Sequence, residues 1–400
     1  MIVEIKPGIA NGVLKAPPSK SMAHRLLICG AFSEKSTING IEFSEDISAT
    51  LDCLSSLGAN VEINGDSVTL GGLSPEKIGS AVLHCRESGS TLRFLLPLCL
   101  LSDGEKILKG SKRLLERPQD IYEEICKEQD LTFEKTEEGI LVSGCLKAGE
   151  YHVRADVSSQ FITGLIFALS TKKTESKITL VGKAESVSYI DLTLKALKDF
   201  GVTVEKCPDG YFIRGGQTFV SRNIDVEGDY SNSAFFDALN LVGGNVTVVG
   251  LDENSRQGDR VYNILFSKLG KNEEIDLSDC PDLAPVLFAL ASTKEKTVFV
   301  GTRRLKIKES DRATAMQREL SKFGVKVDVE ENKVTVYGGR LATPTEIICG
   351  HNDHRIVMAI SLLCTVTGGK ISGAEAVTKS LPDFFSRLSG LNIKIEVYPD

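Results

Sequence analysis

The chain has 400 residues, 42% of them hydrophobic and 25% charged, with 47 Lys and Arg against 54 Asp and Glu for a net charge of −7. That composition can bury a large core and excludes disorder as a description of the whole chain. Its acidic balance argues against a general nucleic-acid binder, because neutralising phosphates needs a basic face.

Read from the N-terminus, one unit recurs. A small polar cluster opens an apolar helix of about three turns, and a short β-branched strand ending at glycine follows. The helices begin in turn at SKSMAHRLLICGAF, ESGSTLRFLLPLCLL, SSQFITGLIFALS, SNSAFFDALNLVGG, PDLAPVLFALAS and NDHRIVMAISLLCT. The closing glycines are Gly40, Gly110, Gly182, Gly250, Gly301 and Gly373, at intervals of 70, 72, 68, 51 and 72 residues. Three units continue clearly into a second, amphipathic helix stopped by Gly58, Gly201 or Gly324, then into two alternating strands around a turn. The predicted repeat is therefore β-α-β-α-β-β, and copies of this size stack to share a core. The second unit departs from the pattern, because EEICKEQDLTFEKTEEGILVSG lacks the glycine stop. In the fourth, KNEEIDLSDCPD runs straight from LFSKLG into the next helix, so a hairpin is expected to be missing.

Between these elements no stretch reads as a membrane span: Leu92 to Leu101 is interrupted by Arg93 and Pro97 and falls short of about 18 apolar residues. The opening MIVEIKPGIANG has no basic then apolar leader. The ten cysteines form no C-x-x-C pair and read as small buried hydrophobes of a reducing cytoplasm, with neither zinc nor disulfide spacing.

The helix starts carry the chemical signal. Ser, Thr, Asn, Asp and Gly there are ordinary N-caps. Lys20, Arg25, Arg93, Arg312 and Arg355, at or near the same starts, oppose the helix dipole unless an anion lies between. Their recurrence suggests a site for small polyanions, phosphate or carboxylate. No phosphate-binding glycine loop, dinucleotide fingerprint or G-x-S-x-G elbow competes. His351 and His354 are spaced i, i+3 without a metal-site pattern around them, and no metal is expected.

Seven motifs in order resemble the enolpyruvyl transferase family. They are P-S-K-S-x-x-x-R (Pro18 to Arg25), S-G-S-T-x-R (Ser88 to Arg93), E-R-P (Glu116 to Pro118), D-V-S-S-Q-F (Asp156 to Phe161), K-E-S-D-R (Lys308 to Arg312), N-D-H-R (Asn352 to Arg355) and K-S-L-P-D-F (Lys379 to Phe384). The resemblance implies an α/β fold of two domains, each an inside-out barrel of three βαβαββ repeats, with the site in the cleft between them. The first domain would span 14–226, and the second 1–13 with 227–400. The implied reaction moves the enolpyruvyl group of phosphoenolpyruvate to the 5-hydroxyl of 3-phosphoshikimate and releases phosphate. It needs no cofactor, and a cytoplasmic monomer acting in aromatic amino acid biosynthesis is expected, with no nucleic-acid or membrane partner.

Site roles follow from the matched positions. Phosphoenolpyruvate would be held by Lys20, Arg117, Arg312, Arg355 and Lys379, with Gln160 and the backbone at Gly89 adjoining. 3-Phosphoshikimate would be held by Lys20, Ser21, Arg25, Ser158, Ser159, Gln160, Ser186 and Lys308, with Tyr189 against its ring. Asp282 would border that acceptor and take the proton of its attacking hydroxyl, and Glu309 or Lys20 would protonate the methylene carbon. Glu87 and Arg304 depart from the family pattern, which has Asn or Asp at the first and commonly Asn at the second. The nearest alternative is the branch of the family acting on UDP-N-acetylglucosamine. That branch usually carries a loop cysteine where this chain has Lys112, and the S-S-Q motif also favours the shikimate reading. A non-catalytic repeat scaffold, the third reading, gives no reason for basic residues to recur at helix starts.

Overall fold

The computed structural model describes residues 1–182, 185–271 and 273–398. By its internal contacts the chain divides into two compact units, Lys20–Val226 and Met1–Ser19 with Glu227–Asp400. Strand Asn11–Lys15, which straddles the expected crossing at residues 13 and 14, pairs in parallel with Asn245–Val249. The contact boundary consequently falls later, between Ser19 and Lys20.

Among the described residues, five four-stranded sheets and one two-stranded sheet carry the repeat. The third unit shows the pattern. Glu150–Arg154 lies parallel to Ser176–Val181, which pairs antiparallel with Gly210–Ile213, itself paired antiparallel with Val204–Cys207. Glu150–Arg154 alternates exposed and buried side chains, so one sheet face meets the core. The sixth sheet is assembled from both chain ends, with Ile2–Ile5 between Gly369–Ser372 and Ile395–Tyr398. The fourth unit has only Asn245–Val249 and its partner Asn11–Lys15 among the described residues, as the missing hairpin requires.

The first helix of each unit is the buried one. Gly89–Cys99, Ser159–Leu169, Ala284–Ala291 and His354–Thr367 have nearly every residue inside. The second helix is amphipathic, as in Glu45–Ser56 and Arg312–Ser321. Each of the two compact units has its own hydrophobic core, one centred on residues such as Leu27, Phe94 and Phe167, the other on Phe236, Leu287 and Ile360.

The irregular second unit has a local explanation. Gly58, Gly201 and Gly324 take positive φ after their helices, and Asp130, with φ +55°, takes the same left-handed place after Asp120–Glu128. The cysteines need a correction: seven are buried, but Cys207 and Cys349 are only half-buried and Cys145 is exposed. Among the described residues no helix is long and apolar enough to cross a membrane.

Candidate active site

Of the residues singled out above, Lys20 opens a buried helix, Arg355 is second in another and Arg312 opens an amphipathic one, and each of the two compact units gathers its own cluster. In Lys20–Val226, Lys20 is the first residue of helix Lys20–Phe32 and donates to Asp46 Oδ2 at 2.6 Å. Arg25, 2% exposed, donates to Thr193 Oγ1 and to the carbonyls of Ser21 and Tyr189, and burial pulls its pKa down to about 10. Ser21 and Tyr189 are thus joined through one guanidinium. Ser186, buried and left-handed at φ 56°, opens helix Val187–Asp199, and its carbonyl accepts from Tyr189 N. Ser158 caps helix Ser159–Leu169 by accepting from Gln160 N at 3.3 Å.

Arg117 and Gly89 meet closely. A Cβ placed on Gly89 would lie 2.7 Å from Arg117 Nη1 and 2.9 Å from Nη2. Arg117 is 6% exposed, and its Nε has no hydrogen-bond partner among the described residues. A buried guanidinium nitrogen without an acceptor is costly. Arg93 fixes the surroundings. It donates to Gln160 Oε1 at 2.8 Å and to the carbonyl of Pro118 at 2.9 Å, and Gln160 donates onward to Ser90 Oγ.

In the other unit, three cations converge on Asp282. Its carboxylate accepts from Arg312 Nη1 at 2.8 Å, Arg355 Nη2 at 3.0 Å and Lys308 Nζ at 3.2 Å. Burial alone would raise the Asp282 pKa, but Arg355, Lys308 and Arg312 outweigh it and hold the carboxyl well below its ordinary range. Burial in turn lowers the Lys308 ammonium, against the pull of Asp282. Glu309 pairs with Arg312 Nη2 at 2.7 Å and is not the free surface charge it could have been. Lys379, nearly buried, donates to the Asn352 carbonyl.

Two acids here are absent from the sequence-derived site. Asp46 pairs with Lys20. Asp353, fully buried, caps helix His354–Thr367 through Arg355 N and accepts from Arg312 Nε at 2.9 Å. At a helix start each reads from sequence as a cap or a favourable dipole charge, and only the partner cation distinguishes it. Of the two departures from the family pattern, Arg304 is 7% exposed and donates to the Ser278 carbonyl at 2.6 Å, while Glu87 is half-buried beside the Ser88 cap.

A sequence profile of the family EPSP synthase (3-phosphoshikimate 1-carboxyvinyltransferase) matches residues 6–272 and 265–388. The chain belongs to this family. It is 39% identical to the 3-phosphoshikimate 1-carboxyvinyltransferase of Clostridium kluyveri over an alignment of 428 positions, covering 98% of both chains. It is 37% identical to that of Clostridioides difficile, again with 98% of both covered. Among solved structures, an EPSP synthase from Acinetobacter baumannii superposes over 100% of both chains with a TM-score of 0.80 at 22% identity. That likeness shows the mixed α/β fold of the family.

Proposed function

We propose that the protein transfers the carboxyvinyl group of phosphoenolpyruvate to the 5-hydroxyl of 3-phosphoshikimate, releasing phosphate, in the route to aromatic amino acids. The observation that carries this reading is the convergence of Lys308, Arg312 and Arg355 on Asp282, which sets a proton acceptor among cations able to grip an anionic substrate. Arg312, Arg355 and Lys379, with Lys20, Arg117, Gln160 and the Gly89 backbone, hold phosphoenolpyruvate. Ser21, Arg25, Ser158, Ser159, Ser186, Tyr189 and Lys308, with Lys20 and Gln160, hold 3-phosphoshikimate. The reading requires both clusters to serve one pair of substrates.

The electrostatics give an order of events. While Arg312 and Arg355 grip Asp282, its carboxylate is a poor base. Substrate carboxylate and phosphate compete for the same guanidinium groups, and as they engage, Asp282 loses counter-charge and its proton affinity rises. It then accepts the 5-hydroxyl proton as the oxygen attacks C2 of phosphoenolpyruvate. Glu309 or Lys20 delivers a proton to the C3 methylene, giving a tetrahedral intermediate. Loss of a C3 proton and breakage of the C2–O bond to phosphate complete the transfer. The cations stabilise charge throughout, and no cofactor enters these steps.

The same reading includes an inside-out α/β barrel for each domain and a monomer in the cytoplasm. Phosphate release from phosphoenolpyruvate tests it, with 3-phosphoshikimate and UDP-N-acetylglucosamine as separate acceptors. Turnover with the first acceptor alone is expected; no release with it overturns the reading.

A further inference from the structure

Behind the anion-binding residues of Met1–Ser19 with Glu227–Asp400 lies a second layer of charge with no role in the chemistry above. Glu319 is fully buried on helix Arg312–Ser321, seven residues after Arg312 and on the same face. Its Oε1 is 2.7 Å from His351 Nε2, and its Oε2 accepts from Lys322 Nζ at 2.7 Å and Cys349 N at 2.9 Å. Lys322 also donates to the Ile347 carbonyl. One carboxylate therefore ties a single helix to the chain from 347 to 351.

That segment ends in an unusual turn. Asp353 N donates to the Gly350 carbonyl, and both residues between, His351 and Asn352, are left-handed at φ 50° and 52°. Two consecutive non-glycine residues in this region need external support. Glu319 grips the first through its imidazole, and Lys379 grips the second through its carbonyl. Immediately after the turn come Asp353, which holds Arg312, and Arg355, which holds Asp282. Both ends of helix Arg312–Ser321 thus grip the one segment that aims the guanidinium groups.

We propose that Glu319 and His351 are positioning residues for the substrate-binding guanidinium groups, acting by bracing the left-handed turn from which Asp353 and Arg355 project. The inference rests on the assignment of Arg312 and Arg355 to phosphoenolpyruvate. It is tested with His351→Ala and His351→Gln. Neither replacement has glycine's freedom at positive φ, but Gln restores a donor that can reach Glu319. The expected result is a KM for phosphoenolpyruvate raised about tenfold in His351→Ala. The KM for 3-phosphoshikimate should stay within about twofold of wild type, and His351→Gln should recover most of the loss. Should His351→Ala melt below the assay temperature, Glu319→Gln is measured instead, with the same selective rise expected. An unchanged phosphoenolpyruvate KM in a folded variant, or an equal rise in both KM values, overturns the inference. Arg355→Lys serves as the control. If it leaves the phosphoenolpyruvate KM unchanged, the underlying assignment fails; if it raises that KM while His351→Ala does not, only the bracing role fails.

Discussion

Gly89 and Arg117 show how one hydrogen atom can set a site. With a Cβ 2.7 Å from Nη1, Gly89→Ala must push the guanidinium aside. The expected outcome is a several-fold rise in KM for phosphoenolpyruvate with a smaller change in kcat, together with weaker inhibition by glyphosate, the inhibitor known for the family; steady-state kinetics and inhibitor titration check it. His24 is a second single-residue case. It is fully buried, with Nδ1 2.8 Å from Thr50 Oγ1, and burial, followed by the charges of Lys20 and Arg25, holds its pKa well below the ordinary range. As pH falls below about 6.5, the unfolded chain takes up a proton that the folded imidazole refuses, so stability falls by at most about 1.4 kcal/mol per pH unit from this group. Denaturant unfolding between pH 7 and pH 5 should show a shallower loss in His24→Gln than in wild type. The cations at helix starts were legible in the sequence because a charge opposing a dipole is anomalous. Asp46 and Asp353 were not, because an acid in the first turn of a helix is ordinary.

The helix stops belong to the next scale. Where other units place a glycine, the second places Asp130 at φ +55°, and the last places Asn392 at φ +68°. Asn and Asp tolerate this region better than other side chains, but less well than glycine. Asp130→Gly is expected to stabilise the protein by up to about 1 kcal/mol, read as a higher melting temperature at unchanged activity. The fourth unit shows the reverse economy of structure. Without its own hairpin, Asn245–Val249 is completed by Asn11–Lys15 from the start of the chain. A repeat interval of 51 residues announced that strands were missing. It did not reveal the substitute partner, because pairing between strands more than 230 residues apart leaves no local pattern in either.

At the scale of the molecule, the net charge of −7 hides two concentrated groups of cations. Lys20, Arg25, Arg93 and Arg117 lie in one unit, and Lys308, Arg312, Arg355 and Lys379 in the other, all largely removed from solvent. Both proposed substrates are anions, so their capture depends on fields that salt screens. Raising potassium chloride from about 0.05 to 0.3 M should raise both KM values while changing kcat less, as initial-rate measurements can establish. A flat salt response would leave the clusters without the electrostatic role argued for them.

The repeat, the shortened fourth unit, the motif-bearing helix starts and the family resemblance can all be read along the chain. All of these are written in local periodicity and in short runs of residues. Which acids answer those cations emerges once the chain is folded. Asp282, Glu309 and Asp353 gather around Arg312 from positions up to 41 residues away, and Glu319 reaches 32 residues to His351. A charge declares its sign in a sequence, but its partner is chosen by the packing of helices and turns that brings distant segments within hydrogen-bond reach.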